Sequence, residues 1–111
     1  MLAHVTAEEL GKVMHSPQPP RIIDVREPEE FARGHIKGAQ SLPLSKVTRD
    51  LKQVLPNQSE PVVLYCDTGI RSHHAARLLR SMGYQNVQEI MGGINSFAKN
   101  PSGDKGLIAN S

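Results

Sequence analysis

Strands alternating with helices along the whole chain predict an α/β fold, a three-layer arrangement with a mostly parallel sheet covered by helices on both faces. Three observations carry it. Short β-branched runs at residues 21–25 and 61–65 read as buried strands. Stretches with apolar residues at helical spacing separate them. Proline and glycine punctuate the junctions, with no internal repeat and no linker.

Thr6-Ala7-Glu8-Glu9 fits a capping box, and Ala7, Leu10 and Met14 follow at helical spacing with Val13 beside them. Ser16-Pro17-Gln18-Pro19-Pro20 ends that helix, because proline lacks the amide donor and restricts the residue before it. After the strand at 21–25, Pro28 suits the first turn of a helix over 28–33, stopped by Gly34. Residues 39–42 read as a short strand. Ser45 is placed to cap a helix with Val47, Leu51, Val54 and Leu55 on one face, closed by Pro56. The run at 61–65 is the clearest strand and 72–82 the clearest helix, burying Ala75, Leu78, Leu79 and Met82 before Gly83. A last strand over 86–90 leads through Gly92-Gly93 into a short helix around 94–98. Residues 1–98 read as one domain and 99–111 as a tail, frayed over its Gly-, Ser- and Asn-rich part from 101.

The 111 residues and 12.2 kDa suit one compact domain with its own core. A formal net charge of +2, dispersed Lys and Arg, no Trp and 4% aromatics argue against a nucleic-acid surface. No apolar stretch approaches the roughly 20 residues of a membrane span, and the first residues lack the order of a signal peptide, so a cytoplasmic location is expected. A single cysteine excludes an internal disulfide and a Cys-rich metal site.

That cysteine stands where ligands bind in such sheets, beyond the carboxyl end of a strand. Cys66-Asp67-Thr68-Gly69-Ile70-Arg71 joins a buried strand to an amphipathic helix and is too short to cross to another element. It is expected to fold as a cradle over the helix N-terminus, converging amides and helix dipole on the sulfur and favouring an anionic sulfur there. Gly69 permits a backbone angle that a Cβ resists, and Arg71 brings a planar donor fork suited to an oxyanion. A lone cysteine is more often a buried filler. Here glycine at three and arginine at five positions beyond it, at the mouth of a helix, favour the reactive thiol.

Three segments in order resemble the rhodanese family, over nearly the whole chain from Thr6 to about Phe97. They are Asp24-Val25-Arg26-Glu27-Pro28-Glu29-Glu30-Phe31 with Gly34-His35-Ile36-Lys37-Gly38-Ala39, then Tyr65-Cys66-Asp67-Thr68-Gly69-Ile70-Arg71-Ser72, then Gly92-Gly93-Ile94. The resemblance implies a rhodanese-like fold and transfer of sulfane sulfur, with thiosulfate and cyanide as laboratory donor and acceptor. It makes Cys66 the nucleophile that carries a persulfide and Arg71 the substrate-binding cation, with Asp67, Thr68, Gly69, Ile70 and Ser72 as the other substrate-binding residues of the loop. No cofactor and no metal is implied, since displacement at sulfur by a thiolate needs neither. Implied partners are a small sulfur-containing anion, a protein persulfide or thiol, or a sulfur-relay protein. Phe97 stands where such families often carry Trp, and the chain beyond it departs from their usual Gly-x-Pro ending, so a last strand-like segment is missing or remodelled.

Supporting residues are expected around this loop. Asp24 and Arg26 either hydrogen-bond loop amides, contact substrate, or pair with Arg33 or Arg71. His35 is read as a loop-stabilising histidine bonded to Glu30 or to a backbone carbonyl. His73 and His74 point about 100° apart and make a poor metal pair, with a solvated helix face as the plainer reading of His74 beside Arg77. Two other functions are weighed, with a sulfur carrier that hands its persulfide to a protein partner as a middle ground. Phosphatases and arsenate reductases of the cysteine-loop class place five residues between Cys and Arg, whereas four intervene here, leaving room for one extra sulfur better than for a phosphate. A non-enzymatic binding module typically loses the cysteine or the loop cation, and both are present. Asp67 is the least expected residue. A carboxylate beside the nucleophile disfavours a dianionic donor by roughly 1 kcal/mol, which points to a less charged or protein-borne persulfide as donor.

Overall fold

The computed structural model describes residues 3–99 and 108–109. Five strands, β1 (His4–Val5), β2 (Arg21–Asp24), β4 (Gln40–Ser41), β5 (Val62–Tyr65) and β6 (Val87–Ile90), form one sheet in the order β1-β6-β5-β2-β4. Every neighbouring pair is parallel. Helices α1 (Ala7–Val13), α2 (Pro28–Arg33), α3 (Val47–Val54), α4 (Ile70–Ser81) and α5 (Gly93–Lys99) alternate with them.

The central strand explains the layering. All four residues of β5 are buried, as in a parallel strand covered on both faces. Period-two alternation sends Val62 and Leu64 into a core with Leu51 and Leu55 at the α3 side and Ala75, Ala76 and Leu79 of α4. Val63 and Tyr65 enter the opposite core with Leu10 of α1 and Ile94 and Phe97 of α5. Phe97, 2% exposed, fills that second core. The Tyr84 hydroxyl donates to the Leu55 carbonyl and ties the end of α3 to the turn after α4.

Local signals set most helix starts. The Thr6 hydroxyl accepts from the Glu9 amide at 3.1 Å while the Thr6 amide donates to the Glu9 carboxylate at 2.9 Å, the reciprocal pair expected at α1. Pro28 opens α2, and its Glu30 carboxylate accepts from the Glu27 amide at 3.0 Å. Ser45 does not cap α3. It lies inside a 3₁₀ turn, Leu44–Lys46, which Pro43 begins with φ −54° and which the Leu44 amide anchors on the Val25 carbonyl at 3.0 Å. Helix α4 starts two residues earlier than the spacing predicts, at Ile70, because Gly69 turns the chain with φ +128°.

The stretch expected to be a tail contributes structure. Lys99 closes α5, and β7 (Ile108–Ala109) pairs antiparallel with β3 (His35–Ile36), Ile36 opposite Ile108. A short edge with free backbone groups accepts such a segment. The strand at Val87–Ile90 is therefore not the last, and the remainder of 99–111 lies outside the described residues.

Candidate functional site

Cys66 follows the last residue of β5, and the loop 66–69 turns directly into α4. The sulfur has no exposed surface and packs at the rim of the α3–α4 core. The amide of Gly69 donates to Sγ at 3.0 Å and that of Ser72 at 3.4 Å. The Cys66 thiol donates to Ser72 Oγ at 3.6 Å, and that hydroxyl donates in turn to the Gly69 carbonyl at 3.2 Å. The expected cradle forms, with these two amides aimed at sulfur.

Its back is held from α5. The Ile94 amide donates to the Cys66 carbonyl at 2.9 Å and the Asn95 amide to the Asp67 carbonyl at 3.2 Å. This close approach depends on Gly93. At its φ of +62° an added Cβ would lie 2.4 Å from the Asp67 carbonyl oxygen and 2.5 Å from that of Cys66. The Gly92-Gly93-Ile94 segment thus has a physical cause: it seats a helix start against the loop.

The rim departs from expectation. Arg71 does not offer its fork to the cradle: Nη1 donates to Glu30 Oε1 at 2.6 Å and Nη2 to Glu30 Oε2 at 3.0 Å. The same Nη2 stands 3.3 Å from Asp67 Oδ1, which also accepts from the Thr68 amide at 2.8 Å. Asp67 therefore both caps the loop and faces the cation. Partial burial opposes ionisation of Asp67, but the Thr68 amide and Arg71 outweigh it and hold its carboxyl below the usual range. The Ile70 side chain is 82% exposed and Thr68 is exposed, so neither side chain lines the sulfur.

Asp24 and Arg26 serve a different partner from any foreseen. Asp24 is fully buried and accepts from the Arg26 amide at 2.8 Å and from its guanidinium at 2.7–3.1 Å. Neither Arg33 nor Arg71 is involved, because the chain turns after β2 and folds Arg26 back on its neighbour two residues earlier. Arg26 also donates to the Gly34 carbonyl at 2.6 Å and lies 5.7 Å over the Tyr65 ring, bracing the end of α2 against β5. His35 Nδ1 is 2.8 Å from the Phe31 carbonyl, and its ring stacks on Phe31 at 3.6 Å. The backbone carbonyl, not Glu30, is its partner. These contacts hold α2, and with it Glu30, opposite the loop.

Sequence reasoning missed two carboxylates. Glu89 on β6 is buried, with His73 Nδ1 at 3.2 Å and His4 Nε2 at 3.9 Å from one of its oxygens. Glu30 was legible as part of a motif and as a partner for His35, not as the partner of Arg71. Arg71 is the first cause of its depressed titration, with the Glu27 amide and Arg26 assisting against desolvation, and brings the carboxyl down to about 2. A depressed carboxylate adds stability above its unfolded value, lost as pH falls toward the folded one. Wild type should therefore lose stability between about pH 4.5 and 2 more steeply than Glu30→Gln, read as urea midpoints by circular dichroism. Equal losses in the two chains would remove the pair's role.

The site is thus one cysteine held by two backbone amides just past the central strand of a parallel α/β sheet. The model of the Rhodanese-like domain family matches residues 6–100. The chain is 39% identical over 77 residues to the YqhL protein of Bacillus subtilis (strain 168), which covers 69% of this chain and 60% of YqhL. It is 36% identical over 76 residues to the thiosulfate sulfurtransferase PspE of Escherichia coli (strain K12), covering 68% and 72%. A rhodanese-like domain protein from Staphylococcus aureus superimposes with a TM-score of 0.81 at 28% identity, over 96% of each chain. The chain belongs to the rhodanese-like family. Among the described residues, no helix is long and apolar enough to cross a membrane.

Proposed function

We propose that this chain is a sulfurtransferase that moves sulfane sulfur from a donor such as thiosulfate to a thiophilic acceptor, cyanide or a thiol, through a persulfide on Cys66. The observation that carries the reading is the pair of amides aimed at the Sγ of the chain's single cysteine. In the first step the Cys66 thiolate attacks the outer sulfur of thiosulfate. The Sγ–S bond forms, the donor S–S bond breaks, and its electron pair leaves with sulfite. In the second step the acceptor attacks the terminal sulfur and the Sγ–S bond returns its electrons to Cys66. The amides of Gly69 and Ser72 stabilise anionic sulfur in both resting forms, and Ser72 Oγ–H is near enough to turn toward it. The acceptor in the cell is a small thiophile or a partner protein's thiol, and a cytoplasmic setting, which keeps a single thiol reduced, suits the chemistry.

Initial rates at varied thiosulfate and cyanide test the reading. Parallel double-reciprocal lines are expected, the signature of a covalent intermediate. Intersecting lines would require both substrates bound together and would contradict it. Arg71→Ala should raise the thiosulfate KM about tenfold, because it removes the cation that Glu30 and Asp67 share, leaving Asp67 without its ion-pair partner and Glu30 with only the longer-range charge of Arg26. Arg71→Lys should recover only part, since a point charge does not replace the fork. Wild-type kinetics in the Ala variant would remove Arg71 from the site.

A further inference from the structure

We infer that Glu30 is a positioning residue that sets donor choice: by occupying the Arg71 fork it biases the site away from dianionic donors and toward persulfides carrying at most one charge. The inference rests on the Cys66 persulfide reading and deepens it.

Both terminal nitrogens of Arg71 are engaged by the two oxygens of Glu30, so the end-on face of its fork is already filled. Asp67 adds a second carboxylate at 3.3 Å. One guanidinium between two carboxylates leaves this group with an excess of negative charge. The pair is only partly exposed, Arg71 by 31% and Glu30 by 27%, so salt screens it incompletely. Asp67 and Arg71 belong to the same six-residue segment as the fully buried Cys66, which puts this charged group at the mouth of the loop that a donor enters. Thiosulfate must displace Glu30 from Arg71 or approach against both carboxylates. A persulfide, R–S–SH or R–S–S⁻, brings at most one charge and needs no fork. It loads the site in its protonated form: the Cys66 thiolate attacks the outer sulfur of R–S–SH, the Sγ–S bond forms, the donor S–S bond breaks, and R–S⁻ departs with the electron pair, leaving Cys66–S–SH. Glu30 comes from α2, and the buried Asp24–Arg26–Gly34 brace fixes that helix, so the placement is built into the fold.

The test compares thiosulfate with 2-hydroxyethyl persulfide, using cyanide as acceptor, in wild type and in Glu30→Gln. A glutamine oxygen still accepts from the Glu27 amide, so α2 keeps its cap. The thiosulfate KM should fall about tenfold in the variant with kcat little changed, and the fall should shrink as ionic strength rises. The persulfide KM should stay within about twofold. Asp67→Asn, which keeps an oxygen for the Thr68 amide, should give a smaller fall. A thiosulfate KM that stays or rises in Glu30→Gln, or KM values for both donors that move together, would overturn the inference by making Glu30 a plain support for Arg71. Wild type that takes up sulfur from neither donor, read by intact mass, would instead overturn the persulfide reading beneath it.

Discussion

Cys66→Ser should reduce sulfur transfer to the level of buffer alone while the chain stays folded. The loss follows from chemistry: serine has no sulfur to accept a sulfane atom, and this chain has no second thiol to substitute. Survival of the fold follows from the geometry. Cys66 is fully buried at the edge of a core. A serine there would be costly if its hydroxyl found no partner. Here Oγ would inherit the amides of Gly69 and Ser72, so the cost should be about 1 kcal/mol. Thermal unfolding and thiocyanate formation measured on one preparation check both halves. Residual turnover in a folded Ser variant would place the chemistry elsewhere.

Gly93→Ala should be the most damaging substitution outside the loop itself. Alanine at φ +62° carries a strain of about 1 kcal/mol by itself. Its Cβ would also stand 2.4–2.5 Å from two backbone carbonyl oxygens, and backbone does not move aside as a flexible side chain does. The start of α5 must retreat, and with it the Ile94 and Asn95 amides that hold the Cys66 and Asp67 carbonyls. A loss of about 2–3 kcal/mol and a large fall in turnover are expected. Gly38→Ala is the control. At φ +86° it carries the same kind of strain, but an added Cβ meets nothing within 4 Å. It should cost about 1 kcal/mol and leave turnover near wild type. Equal effects from the two substitutions would mean that the contact of α5 with the loop is unimportant.

The elements with strong local signals were legible in the sequence. The run at 61–65 and the apolar spacing of α4 placed Cys66 at a strand end before a helix, and the capping box at Thr6 appears as read. The two-residue strands β1, β3 and β7 were not, although the equally short β4 was read within 39–42; two residues carry no period of their own and are strands through their partners. Ser45 has a capping residue's chemistry, but Pro43 and a tertiary bond from Leu44 set the turn around it. At the site, the cradle was legible because its donors lie within six residues of the sulfur. The Arg71–Glu30 pair was not, since its partners are 41 residues apart and nothing local links them. Asp24 shows the converse: its partner was two residues away, while a distant one was expected.

The most direct test of the account is the intact mass of the purified chain after exposure to a sulfane donor, before and after a reductant wash. Wild type should gain one sulfur atom that reductant removes and cyanide discharges as thiocyanate, and Cys66→Ser should gain none. A wild-type mass that does not change with either thiosulfate or a small persulfide, or an adduct that persists in Cys66→Ser, would contradict it.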